Sequence, residues 1–177
     1  MKKNILALIA LAVFGFSYAQ ENEAKKLGFS EGSKLITGSF KFEDNQAGSN
    51  RPLNVALTYN KFFMESVTYG ISLGVNSNQM KANDYNLGFS LRKYYSPANQ
   101  FSLFTLIGST IRIPAITIGG DNEVNFSVGS GLSYFVSENF VLETSLAVFN
   151  YQINNDVQSF TLNSDLTNVK LGVAYKF

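Results

Sequence analysis

The sequence predicts an all-β protein, an eight-stranded antiparallel up-and-down transmembrane β-barrel. Three observations predict it. From Lys34 onward apolar residues recur at every second position in eight segments, the period of a strand and not of a helix. The face between them carries mostly Gly, Ser, Thr, Asn and Ala. A soluble sheet coats its second face with long charged side chains, whereas a membrane barrel turns its apolar face to lipid and its small polar face inward. Finally, the connections alternate between short and long, as in a meander with two different ends.

The segments run in order along the chain. In segment one, 34–43, Ile36, Phe40 and Phe42 oppose Thr37, Ser39, Lys41 and Glu43. Segment two, 52–63, sets Leu53, Val55, Leu57 and Tyr59 against Asn54, Ala56, Thr58 and Asn60. Segment three, 67–76, sets Tyr69, Ile71, Leu73 and Val75 against Gly70, Ser72, Gly74 and Asn76. Segment four, 84–95, has Tyr85, Leu87, Phe89 and Leu91 outward and Asn86, Gly88, Ser90 and Arg92 inward. Segment five, 101–113, is blurred by Phe104, Leu106 and Ile107; its outward set is Phe101, Leu103, Ile107 and Ile111. Segment six, 123–136, alternates Val124, Phe126, Val128, Leu132 and Tyr134 with Asn125, Ser127, Gly129, Gly131 and Ser133. Segment seven, 139–151, places Leu142, Thr144, Leu146 and Val148 against Glu143, Ser145 and Ala147. Segment eight, 162–177, ends with Val169, Leu171, Val173, Tyr175 and Phe177 on one side and Lys170, Gly172, Ala174 and Lys176 on the other.

Such segments match the roughly ten residues that a tilted strand needs to cross the hydrocarbon layer. Closure follows, because an open edge in lipid leaves backbone groups unpaired. Short connections at 64–66, 96–100 and 137–138 mark one end, and longer ones at 44–51, 77–83, 114–122 and 152–161 mark the other. Short turns belong in the periplasm and long loops outside. Aromatic residues near segment ends, such as Tyr59, Phe62, Phe63, Tyr94, Tyr95, Phe101, Tyr134, Phe135, Phe140, Tyr175 and Phe177, read as interfacial girdles.

Residues 1–19 read as a secretory signal peptide. Lys2 and Lys3 precede the apolar run Ile5–Phe16, and Ser17 and Ala19 are small residues before a cleavage site. Residues 20–33 read as a flexible periplasmic lead-in, and 34–177 as the barrel domain. Losing Lys2 and Lys3 from the 14 basic residues leaves 12 against 13 acidic ones, a formal charge of −1. That balance offers no electrostatic footprint for nucleic acid.

The chain holds no Cys, His or Trp. It therefore has no thiolate nucleophile, no histidine base and none of the usual zinc or iron–sulfur ligands. No catalytic, cofactor or metal residues are expected. Glu43 and Glu143 have no spacing that suggests acid–base work, and Ser130 lies in Gly-Ser-Gly rather than in a nucleophile elbow. The segment 119–123, GGDNE, lacks the repeated acidic positions of a calcium loop. Asp44, Arg51, Lys81, Asp121, Glu123 and Asp156 read as solvated loop charges.

Residues 34–177 resemble the small outer-membrane barrel family, the OmpA- and OmpX-like eight-stranded barrels of Gram-negative bacteria. The signal peptide, the Gly-rich stretch NFSVGSGLSYFVSENFVLE and the closing strand VKLGVAYKF carry the resemblance. It implies a barrel-only, monomeric, porin-like envelope protein surrounded by outer-membrane lipid. It also implies that Val169, Leu171, Val173, Tyr175 and Phe177 form a C-terminal signal read by the barrel assembly machinery. Family enzymes would need a catalytic His that this chain lacks.

The inward set contains seven charged residues, Lys41, Glu43, Arg92, Arg112, Glu143, Lys170 and Lys176. The interior of an eight-stranded barrel is just filled by side chains, and charges there must pair. These seven are expected to form a lumen network. The expected role is structural or surface-interacting, without catalysis. Two alternatives remain at this point: a narrow low-conductance pore, and a soluble periplasmic lipocalin-like binder with its apolar faces turned inward.

Overall fold

The structure, a computed structural model, describes residues 27–42, 53–77, 84–114, 123–154, 157–162 and 169–177. The expected signal peptide, three of the four long loops (44–51, 77–83 and 114–122) for the most part, and Glu43 lie outside the described residues. Nine strands are present among them: β1 (Lys34–Phe42), β2 (Leu53–Met64), β3 (Val67–Ser77), β4 (Asp84–Tyr95), β5 (Phe101–Pro114), β6 (Glu123–Phe135), β7 (Phe140–Asn154), β8 (Val157–Leu162) and β9 (Lys170–Lys176).

Every pairing is antiparallel. β1 through β7 pair in sequence, β7 pairs with β9, and β9 returns to β1. The ring therefore has eight positions and closes on itself. β8 shares the eighth position with β9: it continues the return from β7 at the loop end, pairing Asn154↔Val157 down to Phe149↔Leu162. The eighth strand, read in the sequence as one segment from 162 to 177, thus begins earlier and is interrupted. The stretch 152–161, read as a loop, contains the hairpin of β7 and β8 instead.

The pleat sorts the side chains as alternation requires. Leu57, Leu73 and Ile107 are 58%, 63% and 63% exposed, whereas Asn60, Thr68 and Ser133 are fully buried. The barrel is apolar outside and polar inside, the inverse of a water-soluble barrel. The lipocalin-like alternative fails here, because it needs Leu57, Leu73 and their like to line a cavity. In the blurred fifth segment Phe101, Leu103, Ile107 and Ile111 are exposed while Phe104 is buried, as the pattern predicts.

One element departs from strict alternation. The β6–β7 register shifts between Val128 and Gly129, because Val128 pairs with Phe149 but Gly129 with Ala147. Val148 is the extra residue of a bulge, and a bulge flips the phase of the strand that holds it. Beyond it Phe149 and Tyr151 face outward, so the outward row expected through Val148 ends at Leu146. Gly129 permits this: a Cβ there would collide with the Leu146 carbonyl oxygen and the Ala147 backbone.

The doubled aromatics also sort by phase. Phe63, Tyr95 and Tyr134 face out, but Phe62, Tyr94 and Phe135 are buried in the bore. Of the eleven expected girdle residues, these last three therefore belong to the bore and the other eight face outward. Phe62, Tyr94 and Phe135 fill the turn end together with Leu35, Phe104, Val141 and Ala174.

Phe29 completes that cluster. Residues 27–33, expected within a flexible lead-in, fold across the turn end. The Phe29 ring lies 4.8 Å from Phe62, 4.9 Å from Tyr94 and 4.7 Å from Phe135. The Phe29 N–H donates to the Pro97 carbonyl at 2.6 Å, Gly32 N–H to Phe62 at 3.0 Å, and the Lys176 amine to the Gly28 carbonyl at 2.9 Å. Gly28 has φ +123°, and a Cβ there would meet the Ala98 backbone. Only glycine fits that corner without strain.

Two substitutions test this packing. Gly129→Val is expected to lower stability by about 1–3 kcal/mol, as overpacking does, read from the urea midpoint of the folded form in vesicles. Phe29→Ala is expected to free the strap, read as rapid proteolytic cleavage near residue 29 with the strands still protected.

Candidate functional site: the barrel interior

The bore is layered along its axis. The turn end is the aromatic plug. Above it sits one ion pair. The loop-end half is lined by amides and hydroxyls such as Asn54, Asn76, Asn86, Asn125, Thr110, Ser127 and Gln152, all on the inward phase of their strands. The Asn54 and Asn76 side chains hydrogen-bond to each other across β2 and β3.

Glu143 organises the middle layer. It projects from β7, where the pleat alternates it with outward Leu142 and Thr144. Its carboxylate accepts from Arg92 Nη1 at 3.2 Å, Thr37 Oγ1 at 3.2 Å, the Tyr94 hydroxyl at 3.3 Å and Ser133 Oγ at 3.2 Å. Four strands, β1, β4, β6 and β7, converge on one carboxylate. Both charged side chains are nearly buried, at 12% and 6% exposure. The Arg92 guanidinium carbon also lies 5.0 Å from the Phe104 ring centre, a cation–π contact that joins the ion pair to the plug. Arg92 Nε, the Thr68 hydroxyl and the Asn60 amide have no protein hydrogen-bond partner. Thr68 is the cross-strand neighbour of Arg92.

A small cavity of about 20 Å³ lies beside this pair, lined by Thr37, Ser39, Thr58, Arg92, Glu143 and Lys170 among others. That is room for a water molecule or two. No carboxylate among the described residues forms an ion pair with Lys170.

The expected seven-residue charge network is thus divided. Arg92, Glu143 and Lys170 share the middle layer, and Lys41 lies on β1 one residue beyond the Phe40↔Leu171 pair. Arg112 belongs elsewhere, at the loop-end rim, where it bonds Asp84 and donates to Glu123 Oε2 at 3.2 Å. Lys176 is at the opposite end, on the strap carbonyl and 5.1 Å from the Phe135 ring centre. Glu43 lies outside the described residues. Asp84 and Glu123 are not among the expected network: the sequence pattern gives Glu123 as a solvated loop charge, but the register sets it directly opposite Arg112. Cross-strand pairing, which needs a register, was the signal that could have found it.

Among the described residues no cluster of three His, Cys, Asp or Glu suits a metal. Ser130 faces outward on β6. Of the terminal residues, Leu171, Val173, Tyr175 and Phe177 form an exposed outward row. Val169 is half-buried. Tyr175 packs edge-on against Phe140 at 5.3 Å. Phe177 and Lys34 exchange backbone hydrogen bonds at 3.0 and 3.1 Å.

The closed ring, inverted polarity and filled bore define the class of fold, an eight-stranded outer-membrane-type barrel. No family model and no curated protein matches the chain. Solved structures do. The N-terminal β-barrel domain of Pseudomonas aeruginosa OprF superposes with a TM-score of 0.60 at 15% identity, covering 83% of this chain and 98% of that one. Neisserial surface protein A gives 0.56 at 14% identity, covering 84% and 97%. A de novo designed transmembrane β-barrel gives 0.50 at 18% identity, covering 85% and 100%.

The central ion pair makes a sharp prediction. Glu143→Leu alone strands the Arg92 charge and is expected to cost about 3–5 kcal/mol. Arg92→Met in that background is expected to recover most of it, read as urea midpoints in a double-mutant cycle.

Proposed function

We propose that the chain is an integral outer-membrane barrel of a Gram-negative bacterium, with a sealed lumen and a structural or surface-contact role. In this reading residues 1–19 direct export, the protein is a monomer, and its loops face the medium. It needs no cofactor and performs no catalysis. One observation carries the reading: the outward rows of the described strands are mostly apolar, while the bore is stopped at its turn end by Phe29 and seven further aromatic or aliphatic side chains from the strands around it.

The pore alternative needs a polar path along the whole bore. The ring of Phe29, Phe62, Tyr94 and Phe135 argues against one, since an ion crossing it would shed its hydration for apolar surroundings. Catalysis is disfavoured on chemical grounds as well. The Glu143 carboxylate already accepts from four side chains, so it is poorly placed to act as a base.

Four measurements test the proposal. The folded protein is expected to show heat-modifiable gel migration and to resist urea extraction from membranes; recovery in the soluble periplasmic fraction would contradict it. Planar-bilayer recordings are expected to show no reproducible conductance. Steady channels whose conductance shifts in Arg92→Ala would establish the pore instead. Deleting Phe177 removes the outward aromatic and its backbone pairing with Lys34. It is expected to lower assembled barrel severalfold while synthesis stays unchanged, and unaltered assembly would refute a terminal signal.

A further inference from the structure

We propose that Lys34, Lys61 and Lys93 form a docking site for the phosphate headgroup of an anionic phospholipid. The proposal rests on the membrane reading above and deepens it. Among the described strand residues these three are the charged side chains on the outward phase. Their chain neighbours Leu35, Asn60, Phe62 and Tyr94 are buried in the bore, which turns the lysines to the exterior. The other strand charges, Lys41, Asp84, Arg92, Arg112, Glu123, Glu143, Lys170 and Lys176, take the inward phase. No carboxylate among the described strand residues faces out.

The three lysines are also grouped. All lie at the turn end, on β1, β2 and β4, and the outward faces of β5, β6, β7 and β9 carry none. Lys34 is the direct cross-strand partner of Lys61, Lys61 of Tyr69, and Lys93 of Val67. Like charges directly opposite on one face repel. No carboxylate among the described residues neutralises them: Glu65, in the neighbouring turn, is ion-paired with none of the three, and the Lys34 and Lys93 amines have only an aromatic ring and a hydroxyl beside them. An anion seated between them would neutralise them.

Position identifies the anion as a lipid headgroup. Two residues further along the same strands begin Ile36, half-buried Tyr59 and Leu91, and then Leu57 and Phe89, with Leu73 between them on β3, a largely exposed apolar surface suited to acyl chains. Long lysine stems lie along such a surface while the ammonium reaches the headgroup layer. The site has fixed edges. The Lys93 amine is held by the Ser66 hydroxyl, and the Lys34 amine lies 5.8 Å from the Phe177 ring centre. Phe63 and Tyr69 pack beside Lys61 with ring centres 6.1 Å apart.

The test uses the full chain without its expected leader. It is folded into vesicles of phosphatidylcholine, alone or mixed with phosphatidylglycerol, and retained lipids are counted by native mass spectrometry. Wild type is expected to retain phosphatidylglycerol over phosphatidylcholine. Each single Lys→Gln change is expected to weaken that preference about fivefold, and K34Q/K61Q/K93Q about a hundredfold. Excess inorganic phosphate is expected to leave lipid retention unchanged. Displacement by phosphate would overturn the lipid assignment, as would equal retention of both lipids by wild type or undiminished preference in the variants. If the triple variant does not fold, the single variants decide. Heat-modifiable migration separates the two ideas: a chain that folds in both vesicles without discriminating lipids overturns this proposal alone, and one that folds in neither overturns the membrane reading too.

Discussion

The pairing of β9 with β1 is the interaction on which the rest of the structure depends. Six residues of β1, from Leu35 to Phe40, meet Lys176 to Leu171 across that seam. Without it β1 and β9 would each present a row of open N–H and C=O groups. Where the outside is lipid, no water satisfies such groups, and each costs several kcal/mol. The seam converts nine strands into a closed wall and fixes which face of every strand looks inward.

Closure then dictates the interior. An eight-stranded ring leaves a bore just wide enough for side chains. The chain fills it in layers with different chemistry. Aromatic rings close the turn end, where the strap inserts Phe29 among Phe62, Tyr94 and Phe135. A single carboxylate gathers Arg92, Thr37, Tyr94 and Ser133 from around the wall. Because these donors come from β1, β4 and β6 while the carboxylate comes from β7, the Glu143 cluster ties separate parts of the barrel wall together. Its stabilising effect rests on completeness, since a buried charge missing its partner is worse than none.

Most of this architecture is legible in the sequence because alternation is a local signal. Rows such as Leu57, Leu73 and Ile107, and the inward Arg92 and Glu143, need only the period of two. What escapes is whatever depends on register or on distant contacts. The bulge at Val148 flips the outward row because Gly129 yields room on the neighbouring strand. The Arg112 rim cluster exists only once β4, β5 and β6 are aligned. Phe29 sits in a polar stretch without periodicity, and its burial depends on Pro97, Phe62 and Lys176, far away in the chain. The paired aromatics, such as Phe62 with Phe63, read as one girdle until the pleat assigns one to the bore.

The central claim is that the apolar rows face lipid and the small polar rows face the bore. The absence of cysteine from the chain makes a direct measurement clean. Single cysteines at Leu73 and at its neighbour Ser72, each carrying a nitroxide label, would be compared in folded protein in vesicles. The account predicts that the label at 73 collides with oxygen dissolved among the acyl chains and is shielded from a water-soluble nickel complex, whereas the label at 72 is shielded from oxygen. Ready access of the nickel complex to the label at 73, with the label at 72 in contact with lipid, would contradict it.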